Sequence, residues 1–197
     1  MISLGEMRNG FAGSWRILKG DPQGMRYFDV SVDGFWRSFG LIVPLLLPVL
    51  VGVAAERALI LSRTGMDARD FPNLLFILMQ ILSYAGAWFG FPLLLAAVAG
   101  PLGLATRYSP LVVVRNWSSL LGMVPFFVST LLYAVGLVST QALAFLTLVS
   151  LIFNLYLGYQ VTRIAALVPP ATAVGIVFMD LVFTLLVANL CDRLVGV

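Results

Sequence analysis

From Asn116 to Thr162 the chain runs for 47 residues without an Asp, Glu, Lys or Arg. Charged residues make up about 25% of an ordinary soluble domain, so a run of this length is foreign to folds that face water. As a helix rising 1.5 Å per residue it would be roughly twice as long as the ~30 Å hydrocarbon core of a bilayer is thick. It must therefore cross, turn and cross back. Ser139-Thr140-Gln141 is the polar run near its middle, so the turn is expected there, between spans over about 118–138 and 142–159.

The rest of the chain follows the same logic. Asp70 and Arg107 enclose 36 uncharged residues, which places a span at 73–99, tilted or kinked at Pro92 and stopped by Gly100-Pro101-Leu102-Gly103. Before it, the 18 residues from Ser38 to Ala55 make a first span, with Pro44 and Pro48 one turn apart as expected kinks. Residues 171–191, after Pro169-Pro170, make the last. A composition 60% hydrophobic and only 11% charged, with a mean hydropathy of +1.00, agrees with lipid as the solvent. The expected fold is an all-α integral membrane protein: a five-helix transmembrane bundle over residues 38–197, preceded by amphipathic or interfacial N-terminal helices in residues 1–37.

In that N-terminal segment Phe11, Trp15 and Leu18 recur at i, i+4 and i+7 near Arg8, Arg16 and Lys19. The pattern fits a short amphipathic helix lying at a membrane surface or packed on the bundle's own cytoplasmic face. Gly20-Asp21-Pro22 breaks it, and Ser31 is placed to cap a second helix carrying Val32, Phe35, Trp36 and Phe39 on one face. No compact apolar stretch of signal-peptide type stands within residues 1–37. With five spans, the N-terminal side carries eight of the basic residues and the other side four: Arg57, Arg63, Arg69 and Arg193. The positive-inside rule then puts the N-terminus in the cytoplasm and the C-terminus outside, in what is expected to be a bacterial inner membrane.

Several function classes lose a necessary part. The chain has no histidine and one cysteine, Cys191, which removes the commonest general base, the commonest metal ligand and any intrachain disulfide. An intramembrane aspartyl protease needs two aspartates sharing a proton, and only Asp180 stands within an apolar run. There is no phosphate-binding glycine loop, and no basic cluster clear of acids that nucleic acid would need. No enzyme activity, cofactor or metal is expected.

Projection at 100° per residue gives each span a small or polar stripe. Ser118, Gly122, Ser129, Tyr133 and Gly136 share one. Thr147, Ser150, Asn154 and Gly158 lie opposite Phe145, Ile152 and Tyr156. Ala173, Asp180, Thr184 and Cys191 lie opposite Phe178, Val182 and Leu185. Asn73, Gln80, Tyr84 and Ala87 mark the span at 73–99, where Gly86 and Gly90 form a small-xxx-small pair able to admit another helix. Such stripes let membrane helices approach closely and hydrogen-bond, so each is expected to face inward, to another helix of the bundle, to a second copy of the chain in a homo-oligomer or to another membrane protein.

Asp180 is the tenth residue after Pro170, and its charge at that depth costs at least ~2.5–3.5 kcal/mol. With no Lys or Arg expected at its level, the reading is a neutral Asp180 bonded to Asn154. Asp180, Asn154 and Thr184 are the candidate intramembrane polar site. The functional alternatives are a non-enzymatic membrane scaffold or assembly protein, and a small transporter or transporter subunit with Asp180 as a proton or ion relay.

The N-terminal segment, five closely spaced spans with a short third-to-fourth hairpin, and the Leu155-Tyr156-Leu157-Gly158-Tyr159 run together resemble the Yip-domain family of five-span membrane proteins. The resemblance implies a membrane-shaping or sorting role, which in eukaryotic members involves Rab GTPase partners. It carries over no functional residue.

Overall fold

The structure is a computed structural model that describes residues 2–195. These form seven α-helices: α1 Leu4–Leu18, α2 Val32–Phe39, α3 Ile42–Thr64, α4 Asn73–Ala99, α5 Tyr108–Ala134, α6 Thr140–Ala166 and α7 Pro170–Val195, with a 3-10 turn over Pro22–Tyr27. Five stretches are long and apolar enough to cross a membrane, α2 and α3 counting together as Val32–Thr64. The span expected at 73–99 coincides with α4, including Pro92 inside the helix.

Other boundaries move outward. The third long apolar span, α5, starts at Tyr108 rather than 118, so Arg115 lies inside it and not in a loop. The hairpin turn is made by residues 135–139, where Gly136 takes φ +74 and Ser139 caps α6 through the Ala142 N–H. Charges mark where hydrocarbon ends; they do not mark where hydrogen bonding along the backbone ends. Helices extend past the apolar window because each further residue adds a bond at little entropic cost once the helix is nucleated.

α5 is the hub. α3 and α6 pack along it, α1 and α2 cover its first half, and α4 meets it less closely. α7 instead packs chiefly on α4 and then on α6. The bundle thus has two parts, α3-α5-α6 with the N-terminal layer and the pair α4-α7. The pair is made possible by the glycines singled out in the sequence. A Cβ on Gly90 would stand 2.6 Å from Cζ of Phe183, and one on Gly86 would stand 3.1 Å from Val187.

α1 begins with a capping box in which Ser3 and Glu6 bond reciprocally. Its buried face is Gly10, Gly13, Ser14 and Ile17, not the Phe11–Trp15–Leu18 face. Gly10 sits against the ring of Trp117, and Ser14 Oγ lies 3.1 Å from Ser118 Oγ. Phe11 and Trp15 remain exposed beside Lys19, whose ammonium stands over the Trp15 ring. Of the two placements open to this helix, packing on the bundle is the one adopted, because small residues rather than aromatics allow its backbone close to α5. The core is continuous from Ile17 and Phe28 to the α5–α6 seam, and the proposed division at residue 37 falls inside α2.

The small and polar stripes are buried only in part: Ser118, Gly122 and Ser129 on α5, Ser150 on α6, and Ala173 and Cys191 on α7 are covered, whereas Asn73, Gly136, Thr147, Asn154 and Thr184 are exposed. The opposite faces, with Phe145 and Ile152 on α6 and Phe178 and Leu185 on α7, are exposed.

Candidate functional site

α5 and α7 run parallel, both being antiparallel to α6 between them. Arg115 is seven residues from the start of α5, and Asp180 ten from the start of α7. Counted from each helix's own start they differ by three residues, about 4.5 Å of helical rise. The two meet in a bidentate pair: Arg115 Nε donates to Asp180 Oδ2 at 3.0 Å, and Nη2 donates to Oδ1 at 2.9 Å. The guanidinium carbon lies 4.7 Å from the centre of the Phe91 ring, adding a cation–π contact on α4. This fork geometry suits arginine and not lysine.

The expected Asn154–Asp180 bond is therefore replaced. The carboxylate accepts two N–H groups from Arg115 and requires neither a proton nor Asn154. Asn154 Nδ2 instead donates to the Gly122 carbonyl at 3.0 Å and the Ser150 carbonyl at 2.9 Å, tying α6 to α5. Gly122 is required there, since a Cβ would collide with the Asn154 amide.

All three candidate residues still share a site. A cavity of about 310 Å³ lies between α5, α6 and α7, with Asp180, Asn154 and Thr184 in its wall together with Arg115, Ser119 and Thr162. Phe91, Leu151, Leu155, Val177 and Leu181 contribute apolar surface. It is not sealed: Leu151, Asn154 and Thr184 are exposed, so the cavity opens sideways between α6 and α7. The pair itself remains partly accessible, Arg115 at 21% and Asp180 at 29%.

Its height is fixed by a neighbour. Asn116 is fully buried and donates from Nδ2 to Ser38 Oγ at 3.0 Å, while Trp88 Nε1 reaches the Phe39 carbonyl at 3.3 Å. Arg115 thus leaves α5 level with the junction of α2 and α3, where Trp36 and Arg37 face outward. In the same layer Arg37 pairs with Asp29 and lies 3.5 Å from Glu6. Bonds from the Ser3 backbone and then its hydroxyl hold Glu6 below the usual carboxylate range, and Ser31 does the same for Asp29.

Arg115 was the residue missed. Counting from the first uncharged residue put it outside the membrane; counting from a helix start carried back through Tyr108-Ser109-Pro110, with proline in the first turn, would have brought it level with Asp180. Compared with protein-family models, curated proteins and solved structures, the chain matches none.

Proposed function

We propose that this chain is a non-enzymatic membrane scaffold whose lateral cleft between α6 and α7 holds another membrane component against the bundle. The observation that carries the reading is the partly accessible Arg115–Asp180 pair inside a cavity open to the side. A charge pair placed only for stability gains nothing from an adjoining open volume, whereas a binding site needs concave, mostly apolar walls with a few placed polar groups. A scaffold role also follows the five-span Yip-domain resemblance, with the N-terminal layer in the cytoplasm of a bacterial inner membrane and the C-terminus outside.

The test is in-membrane photo-cross-linking. A photoreactive side chain at Leu181 in the cleft is expected to give one dominant adduct class, and one at Leu185 on the outer face of α7 a diffuse set. Equal, diffuse labelling from both positions refutes a built site. Reporter fusions at each end check the orientation; a cytoplasmic C-terminus refutes the five-span inside-to-outside order.

A second reading, the small transporter with Asp180 as relay, is favoured by the pair bridging the two parts of the bundle across a cavity. It requires proton or ion flux in vesicles that Asp180→Asn abolishes. Flux equal to protein-free vesicles removes it.

A further inference from the structure

The cleft's charge content restricts what it can hold. Arg115 and Asp180 sum to zero and satisfy each other. An anion entering alone must take Arg115 and strand the carboxylate in a low-dielectric site; a cation entering alone strands the guanidinium. Either leaves an uncompensated, largely desolvated charge, which is strongly disfavoured. A ligand carrying both charges avoids the penalty, because one pair becomes two and every charge keeps a partner.

The remaining polar atoms suit such an exchange. Arg115 uses only Nε and Nη2 on Asp180, so Nη1 donates to no protein group among the described residues. Asn154 spends both amide hydrogens on carbonyls, and its Oδ1 lies against α5 at Gly122, so it offers the cavity no free donor. The hydroxyls of Thr162 and Thr184, both in the cavity wall, have no protein partner among the described residues. Free donors thus stand on the Arg115 side, and free acceptors lie around the cavity to receive an ammonium's N–H groups. The opening faces sideways between apolar residues of α6 and α7, and Arg115 stands at the height of the α2–α3 junction. At that level Trp36 and Arg37 face outward, residue types that gather where a bilayer's hydrocarbon gives way to headgroups.

We propose that the cleft binds a zwitterion, with a phosphate or carboxylate on Arg115 and a primary ammonium on Asp180, and that the sideways opening accommodates the chains of an aminoethyl phospholipid. This rests on the cleft being a binding site and names its occupant. The same charges occur on a free solute such as phosphoethanolamine, so both sources belong in the test.

Full-length protein purified in detergent is titrated with phosphatidylethanolamine, phosphatidylcholine and phosphatidylglycerol of matched chains, read by native mass spectrometry. The ethanolamine lipid is expected to bind at least tenfold more tightly than either other lipid. Phosphatidylcholine has no ammonium N–H for Asp180, and phosphatidylglycerol has no cation. Competition by free phosphoethanolamine assigns the site to the soluble zwitterion; its failure to compete assigns it to the lipid.

Two variants keep the test decisive. Thr184→Trp fills the mouth while leaving both members of the pair in place and is expected to lose the binding while keeping the wild-type Tm. Asp180→Asn frees Arg115 as a lone cation and is expected to reverse the preference toward phosphatidylglycerol, a change that a structural role for Asp180 would not produce. Equal binding of the three lipids, or ethanolamine-lipid binding untouched by Thr184→Trp, overturns the proposal. If Leu181 cross-links a protein while no zwitterion binds, the cleft survives as a docking site and only its occupant is wrong. Diffuse cross-linking refutes the cleft itself.

Discussion

Removing either end of the Arg115–Asp180 pair is expected to destabilise the bundle, and removing both to restore most of the loss. Two unit charges about 4 Å apart attract by about 4 kcal/mol at an effective dielectric near 20, and breaking a buried pair costs ~3–5 kcal/mol because the remaining charge is stranded. The side chains keep 21% and 29% of their exposure, and solvent screening lowers the single-variant cost to about 2–3 kcal/mol. The double variant Arg115→Met/Asp180→Leu strands nothing and is expected within about 1 kcal/mol of wild type. The resulting coupling of at least about 3 kcal/mol exceeds the ~0.6 kcal/mol average and ~1.7 kcal/mol maximum measured for hydrogen bonds between membrane helices. The assay is reversible unfolding in mixed dodecyl maltoside and SDS micelles, followed by tryptophan emission. Single variants within about 0.5 kcal/mol of wild type, or an additive double variant, would refute the reasoning.

Gly90→Val is expected to separate α4 from α7, because its side chain would enter the space of the Phe183 ring; the cost is about 1–3 kcal/mol in the same unfolding assay. Gly10→Val, directed at Trp117, is expected to release α1, seen as faster protease cleavage near Gly20 with the membrane bundle intact. Glu6 and Asp29 have depressed pKa values in the folded protein, so the stability they give is present above their unfolded pKa values and lost as pH falls through the folded ones. The N-terminal layer should therefore loosen only in acid below the usual carboxylate range, and Ser3→Ala should move the Glu6 titration upward, as followed by carboxyl-labelled NMR.

The gross architecture was legible because lipid imposes a simple rule: every apolar run must close its own backbone bonds, so runs become helices and their lengths count the crossings. The outward faces were legible as well, since bulky residues such as Phe145, Ile152 and Phe178 collected opposite the small and polar ones. Gly86 and Gly90 likewise mark a close helix contact on α4, without indicating that its partner is α7. The buried side of α1 was not legible, because aromatic periodicity drew attention from the glycines. In helix packing without a hydrophobic drive, the absence of a side chain carries the information. Nothing in the periodicity of α1 alone said that Trp117, a hundred residues away, would fill that space.

Asp180 shows why the site was harder than the fold. An acid within an apolar run demands a partner, and inside the charge-free window Asn154 is the best group available. Arg115 lies just beyond that edge. In a helix each side chain leans toward the N-terminal end, and α5 and α7 both start on the same side, so Asp180 leans toward the level from which Arg115 emerges. A long basic side chain near a helix end can reach inward as readily as it snorkels outward, the direction being decided by where a carboxylate waits. The relevant depth for an intramembrane acid is thus that of its own headgroup plus the reach of an arginine, and a charge-free run is a lower bound on the partners it can recruit. That argument makes a positional demand: moving the cation one turn deeper, with Arg115→Ser and Ser119→Arg together, should fail to restore the stability lost in Arg115→Ser alone. Full restoration would mean that any cation at roughly this depth serves, and that the forked geometry at Arg115 contributes nothing specific.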